Sequence, residues 1–170
     1  MDDIELIEID AHRDAPLATS WINGPGGAKT LQLMSMLVPD DFKTTEVQEF
    51  ERFKQIQNNP NELAWMIEYD GLVVGIVEVN TVSFEGLQPP NISIMIGDIS
   101  ARGKGIGTVA MSQTINILKD KGYETIFARV LTRNAPSITM LKKLGFAEDG
   151  EPYTDGDTQR WQNVRYEISQ

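Results

Sequence analysis

Apolar and polar positions change period several times along this chain of 170 residues, and each change marks an element. Ile4 to Ile9 alternates apolar and acidic residues, the period of two expected of a half-buried strand. Between His12 and Pro39 the pattern is harder to read: Gly24-Pro25-Gly26-Gly27 breaks it into a loop, and Leu31 to Val38 is apolar enough for either helix or strand. Asp40 to Gln57 reads as a helix, with Asp40 or Asp41 as cap candidates and Val47, Phe50, Phe53 and Ile56 at three-residue spacing. Asn58-Asn59-Pro60-Asn61 ends it. Leu63 to Glu68 and Leu72 to Val82 read as strands joined around Asp70-Gly71, a dipeptide suited to a two-residue hairpin turn, and Gln88-Pro89-Pro90 closes that pair before an apolar strand, Ile92 to Ile96.

A helical pattern starts near Gly105. Ile106, Val109, Ala110 and Ile117 cluster on one side of it and Met111, Ile115 and Leu118 on another, while Thr108, Ser112, Asn116 and Lys119 share a narrow polar arc. Such a helix is covered on most sides. A strand, Glu124 to Leu131, precedes a second helix that opens with Asn134 as cap and Pro136 in its first turn and closes with Lys142, Lys143 and Gly145. Ile138, Leu141 and Leu144 form its apolar stripe, and a last hairpin pairs about Phe146 to Asp149 with Arg160 to Ile168. The predicted order is β, αα, βββ, α, β, α, ββ, with no internal repeat.

Between the strand ending at Ile96 and the helix lies Arg102-Gly103-Lys104-Gly105-Ile106-Gly107. Closely spaced glycines let the backbone turn without a Cβ in the way, and the first turn of the helix offers free N–H groups and partial positive charge to a phosphate. Arg102 and Lys104 add cationic charge, read here as mobile. Further on, Asn134-Ala135-Pro136-Ser137-Ile138 is followed by Leu141-Lys142-Lys143-Leu144-Gly145-Phe146. Together these two blocks resemble the GNAT superfamily of N-acetyltransferases, over about residues 62 to 150; the likeness is weak before residue 60, and the tyrosine usual in the second block is Leu141 here.

The resemblance implies a mixed α/β (α+β) single domain, residues 1 to 170, around a mostly antiparallel sheet of about seven strands with about four helices. Residues 1 to 60 would serve the acceptor, 62 to 150 would hold acetyl-CoA, and 151 to 170 would supply the last strand. The strand edge Met95, Ile96 and Gly97 would pair with the pantetheine arm and polarise the thioester carbonyl. The backbone of Arg102, Gly103, Lys104, Gly105, Ile106, Gly107 and Thr108 would hold the pyrophosphate. Asn134 either contacts the cofactor or only caps its helix, and Ser137 is the nearest hydroxyl to the position of the missing tyrosine, though it is also an ordinary first-turn residue. Tyr123 and Tyr153 lie too far along the chain to place. For the base, the comparable strand position is Ser93; Glu78, Asp98 and a water chain held by Asn91 or Ser93 are alternatives, each carboxylate having a solvated surface charge as its plain reading. A thiol with a reference pKa of about 8.5 can leave as thiolate with hydrogen-bond help alone.

Two other classes remain to be weighed. A dinucleotide-binding fold needs Gly-x-Gly-x-x-Gly and an acid ending the next strand, but position 108 is Thr108 and Glu124 begins that strand. A P-loop is likewise excluded, since it needs Ser or Thr after Gly-Lys, where Gly105 stands. A non-catalytic acyl-CoA-binding or sensing protein stays open, because Leu141 and the missing strand acid are compatible with lost chemistry.

Composition narrows the partners. With no cysteine and one histidine, His12, neither a thiolate nucleophile nor a cysteine or histidine-rich metal site can form, so no metal is expected. The net charge of −10 is uneven: residues 1 to 100 carry 17 acidic and 5 basic side chains, residues 101 to 170 carry 8 and 10. The acidic half disfavours nucleic acid and suits a cationic amine acceptor, small molecule or peptide; a homodimer is compatible with the sequence. Met1 to Glu5 is acidic where a signal peptide is basic, and no apolar run reaches membrane-span length, so a cytoplasmic protein without membrane attachment is expected.

Overall fold

One eight-stranded sheet organises the computed structural model, which describes residues 3–34, 36–156 and 159–168. The parts of the sequence reading that fall on residues 1, 2, 35, 157, 158, 169 and 170 lie outside the described residues. The elements run β1 (Ile4–Ile7), α1 (Ala11–Asn23), α2 (Gly27–Leu33), α3 (Glu46–Asn58), β2 (Glu62–Tyr69), β3 (Leu72–Asn80), β4 (Asn91–Ile96), α4 (Ile106–Asp120), β5 (Thr125–Leu131), α5 (Ala135–Leu144), β6 (Ala147–Glu148), β7 (Tyr153–Asp155) and β8 (Gln159–Glu167). The sheet order is β1-β2-β3-β4-β5-β8-β6, with β7 also on β8, and every pairing is antiparallel except β4 with β5. The mixed, mostly antiparallel architecture is the expected one. Eight strands and five α-helices among the described residues replace about seven and about four.

The extra helix is α1. Its buried stripe is Ala11, Ala15, Ala18 and Ile22, small residues that carry little hydrophobic signal, and it contains Pro16. Asp10 caps it by accepting from the amides of His12 and Arg13 at 3.0 and 3.3 Å. α3 begins later than the sequence suggested. Thr45, not Asp40 or Asp41, is its cap, in a reciprocal pair with Gln48 that satisfies two amides at once. Strict three-residue spacing drifts around a helix of 3.6 residues per turn, and Val47 is accordingly 72% exposed while Phe53 is fully buried.

α1, α2 and α3 cover one sheet face, where Phe53, Leu31 and Ile22 meet Met66, Ile76 and Met95. On the other face Met111, Ile115 and Leu118 of α4 and Leu141 of α5 bury Val77, Val79, Ile92, Ile126 and Val130. Val109, grouped by pattern with the core side of α4, is exposed. Gly97 has a specific reason to be glycine: a Cβ there would stand 2.2 Å from the ring of Trp21, so α1 crosses directly over the end of β4.

Candidate active site

β4 and β5 part company almost at once. Their ladder has a single register pair, Asn91 with Phe127, supported by Phe127 N–H donating to the Pro90 carbonyl at 2.9 Å. β4 stays paired with β3 throughout, and the Gly97 amide donates to the Val74 carbonyl at 2.9 Å. Because antiparallel ladders alternate, the amides of Met95 and Ser93 also face β3. Those of Ile94 and Ile96 face the gap that β5 has left. A cavity of about 580 Å³ opens there, reaching from Glu78 and Ser93 on one sheet face to Met111, Met140 and Leu141 on the other.

Glu78 and Ser93 are register partners on β3 and β4, so their side chains share a face. The sequence left Glu78 open as a solvated surface charge. Its side chain is instead only 19% exposed and 3.5 Å from Arg52 of α3. Burial pushes its carboxyl above the ordinary glutamate range, Arg52 partly offsets that, and nearby Glu62 adds to it. Glu62, also raised by burial, accepts from the Asn59 amide group at 3.2 Å and lines the same cavity. Asp98 is occupied elsewhere, accepting from the amide and hydroxyl of Ser100 at 2.8 and 2.7 Å.

Asn134 and Ser137 line the cavity from the start of α5, where Asn134 Oδ1 accepts from the Ser137 amide at 3.4 Å. Leu141 is buried against the same space, and no tyrosine lines it among the described residues. The glycine loop lies at the adjoining end of β4. Gly103 and Gly105 have φ of 74° and 82°, left-handed values, and α4 starts with no side-chain cap, so its first amides stay available. Gly107 sits close under α5: a Cβ would come within 3.3 Å of the Met140 sulfur. Arg102 is not the mobile charge the sequence suggested. Its Nε donates to the Ile96 carbonyl at 2.9 Å and its Nη2 to Thr30 Oγ1 at 3.0 Å, while Lys104 Nζ lies 5.4 Å from the centre of the Tyr69 ring.

Sequence reading missed Arg129. It lies on β5, its side chain 9% exposed, and lines the cavity while stacking on Trp161 at 4.2 Å. Its Nη2 pairs with Glu85 and its Nη1 stands 3.6 Å from Asp155 without a hydrogen bond. The only local signal was a charge inside an otherwise apolar strand. Among the described residues, no group of three or more His, Asp or Glu side chains is arranged to hold a metal, and no helix is long and apolar enough to cross a membrane.

Comparison with known proteins agrees with this geometry. MJ1062 of Methanocaldococcus jannaschii, an uncharacterised protein, is 37% identical over 73 residues, 43% of this chain and 14% of its own length. YwnH of Bacillus subtilis, named as a candidate phosphinothricin acetyltransferase, is 36% identical over 59 residues, 35% of this chain and 36% of its own. The alignments thus span well under two thirds of either relative. Among solved structures, the microcin C7 self-immunity acetyltransferase MccE, in complex with acetyl-CoA and AMP, superposes with a TM-score of 0.76 at 18% identity, over 98% of this chain and 93% of its own. The acetyltransferase (GNAT) domain profile matches residues 6–147, and the chain belongs to the GNAT acetyltransferase family.

Proposed function

We propose that the protein moves an acetyl group from acetyl-CoA to a primary amine by direct attack in a ternary complex. The observation that carries this reading is the parting of β4 from β5, which leaves strand amides facing a cavity with a desolvated carboxylate on its wall. The edge of β4 takes the pantetheine arm through Ile94 and Ile96, whose amides face the gap; in the expected stretch Met95 to Gly97, the amides of Met95 and Gly97 are turned toward β3 instead. Amides from Gly103 to Thr108 take the pyrophosphate, Lys104 adds charge, and Asn134 and Ser137 flank the thioester end. Arg102 serves by fixing the strand end.

In the reaction the amine nitrogen bonds to the carbonyl carbon, the C–S bond breaks, and the sulfur leaves as thiolate. A strand amide facing the gap stabilises the oxygen as negative charge grows on it. One ammonium proton departs to Glu78, directly or through water held by Ser93, before attack and passes on to solvent; the second N–H proton, shed as the C–S bond breaks, goes to the departing thiolate. With no cysteine in the chain and His12 outside this cavity, a covalent enzyme intermediate has no support. Proximity and carbonyl polarisation carry most of the rate. Residues 1 to 170 act as one domain, with 1 to 60 on the acceptor side and 62 to 150 around the cofactor; the acceptor is a cationic amine in solution or on a peptide.

Calorimetric titration with acetyl-CoA, desulfo-CoA and NAD, followed by thiol release across an amine panel, tests the proposal. Acetyl-CoA is expected to bind in a salt-sensitive way and to be consumed with at least one amine. Tighter binding of NAD overturns it. Binding without thiol release on any amine favours an acyl-CoA sensor, the reading to which Leu141 in place of a tyrosine lends itself.

A further inference from the structure

Arg129 faces the cavity from the same side of the sheet as Glu78 and Ser93. Ile126, Ala128 and Val130 point into the α4 and α5 layer, so Phe127 and Arg129 point to the opposite face, and Phe127 aligns with Asn91. Two residues on, Ser93 of β4 and Arg129 of β5 continue the row that Glu78 begins on β3. At a strand spacing of about 4.8 Å, widened by the splay, carboxylate and guanidinium are rooted about 10 Å or more apart on one wall.

The partners of Arg129 are ill matched to it. A side chain 9% exposed, on an interior strand and stacked on Trp161, is held by carboxylates that are themselves 42% and 61% exposed. Glu85 reaches it from the first central position of a two-residue turn between Phe84 and Leu87, with left-handed φ of 49° at Glu85 and 81° at Gly86. A non-glycine residue at positive φ costs backbone energy. Nη1 remains buried without a hydrogen bond. Guanidinium presents a planar fork that matches a carboxylate or phosphoryl group with two parallel bonds, and here one prong is met only by Asp155 at 3.6 Å, without a hydrogen bond.

We infer that Arg129 is the anchor for an oxyanionic group on the acceptor, with Glu85 occupying part of that place until the acceptor arrives. The inference rests on the acetyltransferase reading for what happens at the other end of the acceptor, where the amine meets Glu78. The acceptor is then a dipolar molecule, an amine that also carries a carboxylate or phosphoryl group. Displaced Glu85 returns to solvent on its exposed turn, so its loss costs little. The transfer step itself is unchanged.

Calorimetry on the CoA-loaded protein tests this without requiring turnover. The titrants are ω-amino acids of increasing chain length, the corresponding aminoalkyl phosphonates, and the simple alkylamines of the same length. In wild type, one acid-bearing length is expected to bind at least about tenfold more tightly than its simple amine, as a charge-assisted hydrogen bond warrants. Whether carboxylate or phosphonate leads identifies the group. Arg129→Gln should erase that preference, and Glu85→Gln, which removes the internal competitor, should strengthen binding of the acid-bearing member while leaving the simple amine unchanged. Equal or weaker binding of all acid-bearing titrants, or a preference that survives Arg129→Gln, overturns the inference. Should Arg129→Gln fail to fold, unchanged or weakened acid binding in Glu85→Gln overturns it alone. Thiol release from acetyl-CoA on the same titrants reports separately: preference without turnover sinks the enzyme reading and leaves the anchor standing, and turnover of simple amines without preference does the reverse.

Discussion

Glu78 is the residue whose surroundings most change its chemistry. Burial raises its carboxyl pKa from an ordinary value of 4.5, so the folded protein holds this proton more tightly than the unfolded chain does. Its contribution to stability is therefore fully present below the unfolded value and is lost as pH climbs through the raised folded value. Glu78→Gln should accordingly melt at a progressively higher temperature than wild type as pH rises from about 4.5 toward neutrality; parallel melting curves over that range would mean the carboxylate is well solvated. In kcat/KM, an ascending limb present in wild type and absent from Glu78→Gln marks this group as the base, and an unchanged limb leaves a water chain or plain deprotonation of the amine. Gly105 gives a second residue-level expectation. Nothing lies within 4 Å of where its Cβ would stand, yet its φ is 82°. Gly105→Val, harmless by space alone, should lose about 1–2 kcal/mol of stability from the left-handed backbone, so acetyl-CoA affinity in that variant must be measured well below its melting temperature.

Among the elements, β2 to β5 and the two later helices were legible because their periods are clean, and α5 also carries recognisable caps in Asn134 and Gly145. α1 was not, since a stripe of alanines around Pro16 has little contrast with its polar neighbours, and its docking depends on a distant residue. Gly97→Ala would drive a methyl into the Trp21 ring, so it should destabilise by about 1–3 kcal/mol, the usual range for overpacking. Trp21→Leu should relieve part of that loss; equal destabilisation in single and double variants would show that α1 does not rest on this glycine. The start of α3 was misread because Asp40 and Asp41 are attractive caps by type, whereas Thr45 with Gln48 fits the reciprocal pair; Thr45→Ala should cost about 1 kcal/mol. The pairing of Glu78 and Ser93 follows from strand register, but the place of Arg129 beside them depends on where β4 leaves β5. No local pattern encodes that.

At the scale of the molecule, the first 100 residues carry 17 acidic and 5 basic side chains and the remaining 70 carry 8 and 10, and the proposed reading gives the acceptor to the acidic part. With a screening length of about 10 Å at 0.1 M salt, acceptors of net positive charge should lose kcat/KM as ionic strength rises under saturating acetyl-CoA. A dipolar acceptor should lose much less. Equal salt dependence for both would reduce the acidity of the first half to a matter of solubility. Finally, the guanidinium of Arg102 clasps the Ile96 carbonyl and the Thr30 hydroxyl together; on the proposed reading, with acetyl-CoA along β4 and the acceptor on the α2 side, the two ligands are expected to be thermodynamically linked. A ligand that moves either end of that clasp alters the other ligand's affinity, and the factor must be the same whichever binds first. Thr30→Val, a change on α2, should shrink that mutual factor toward unity.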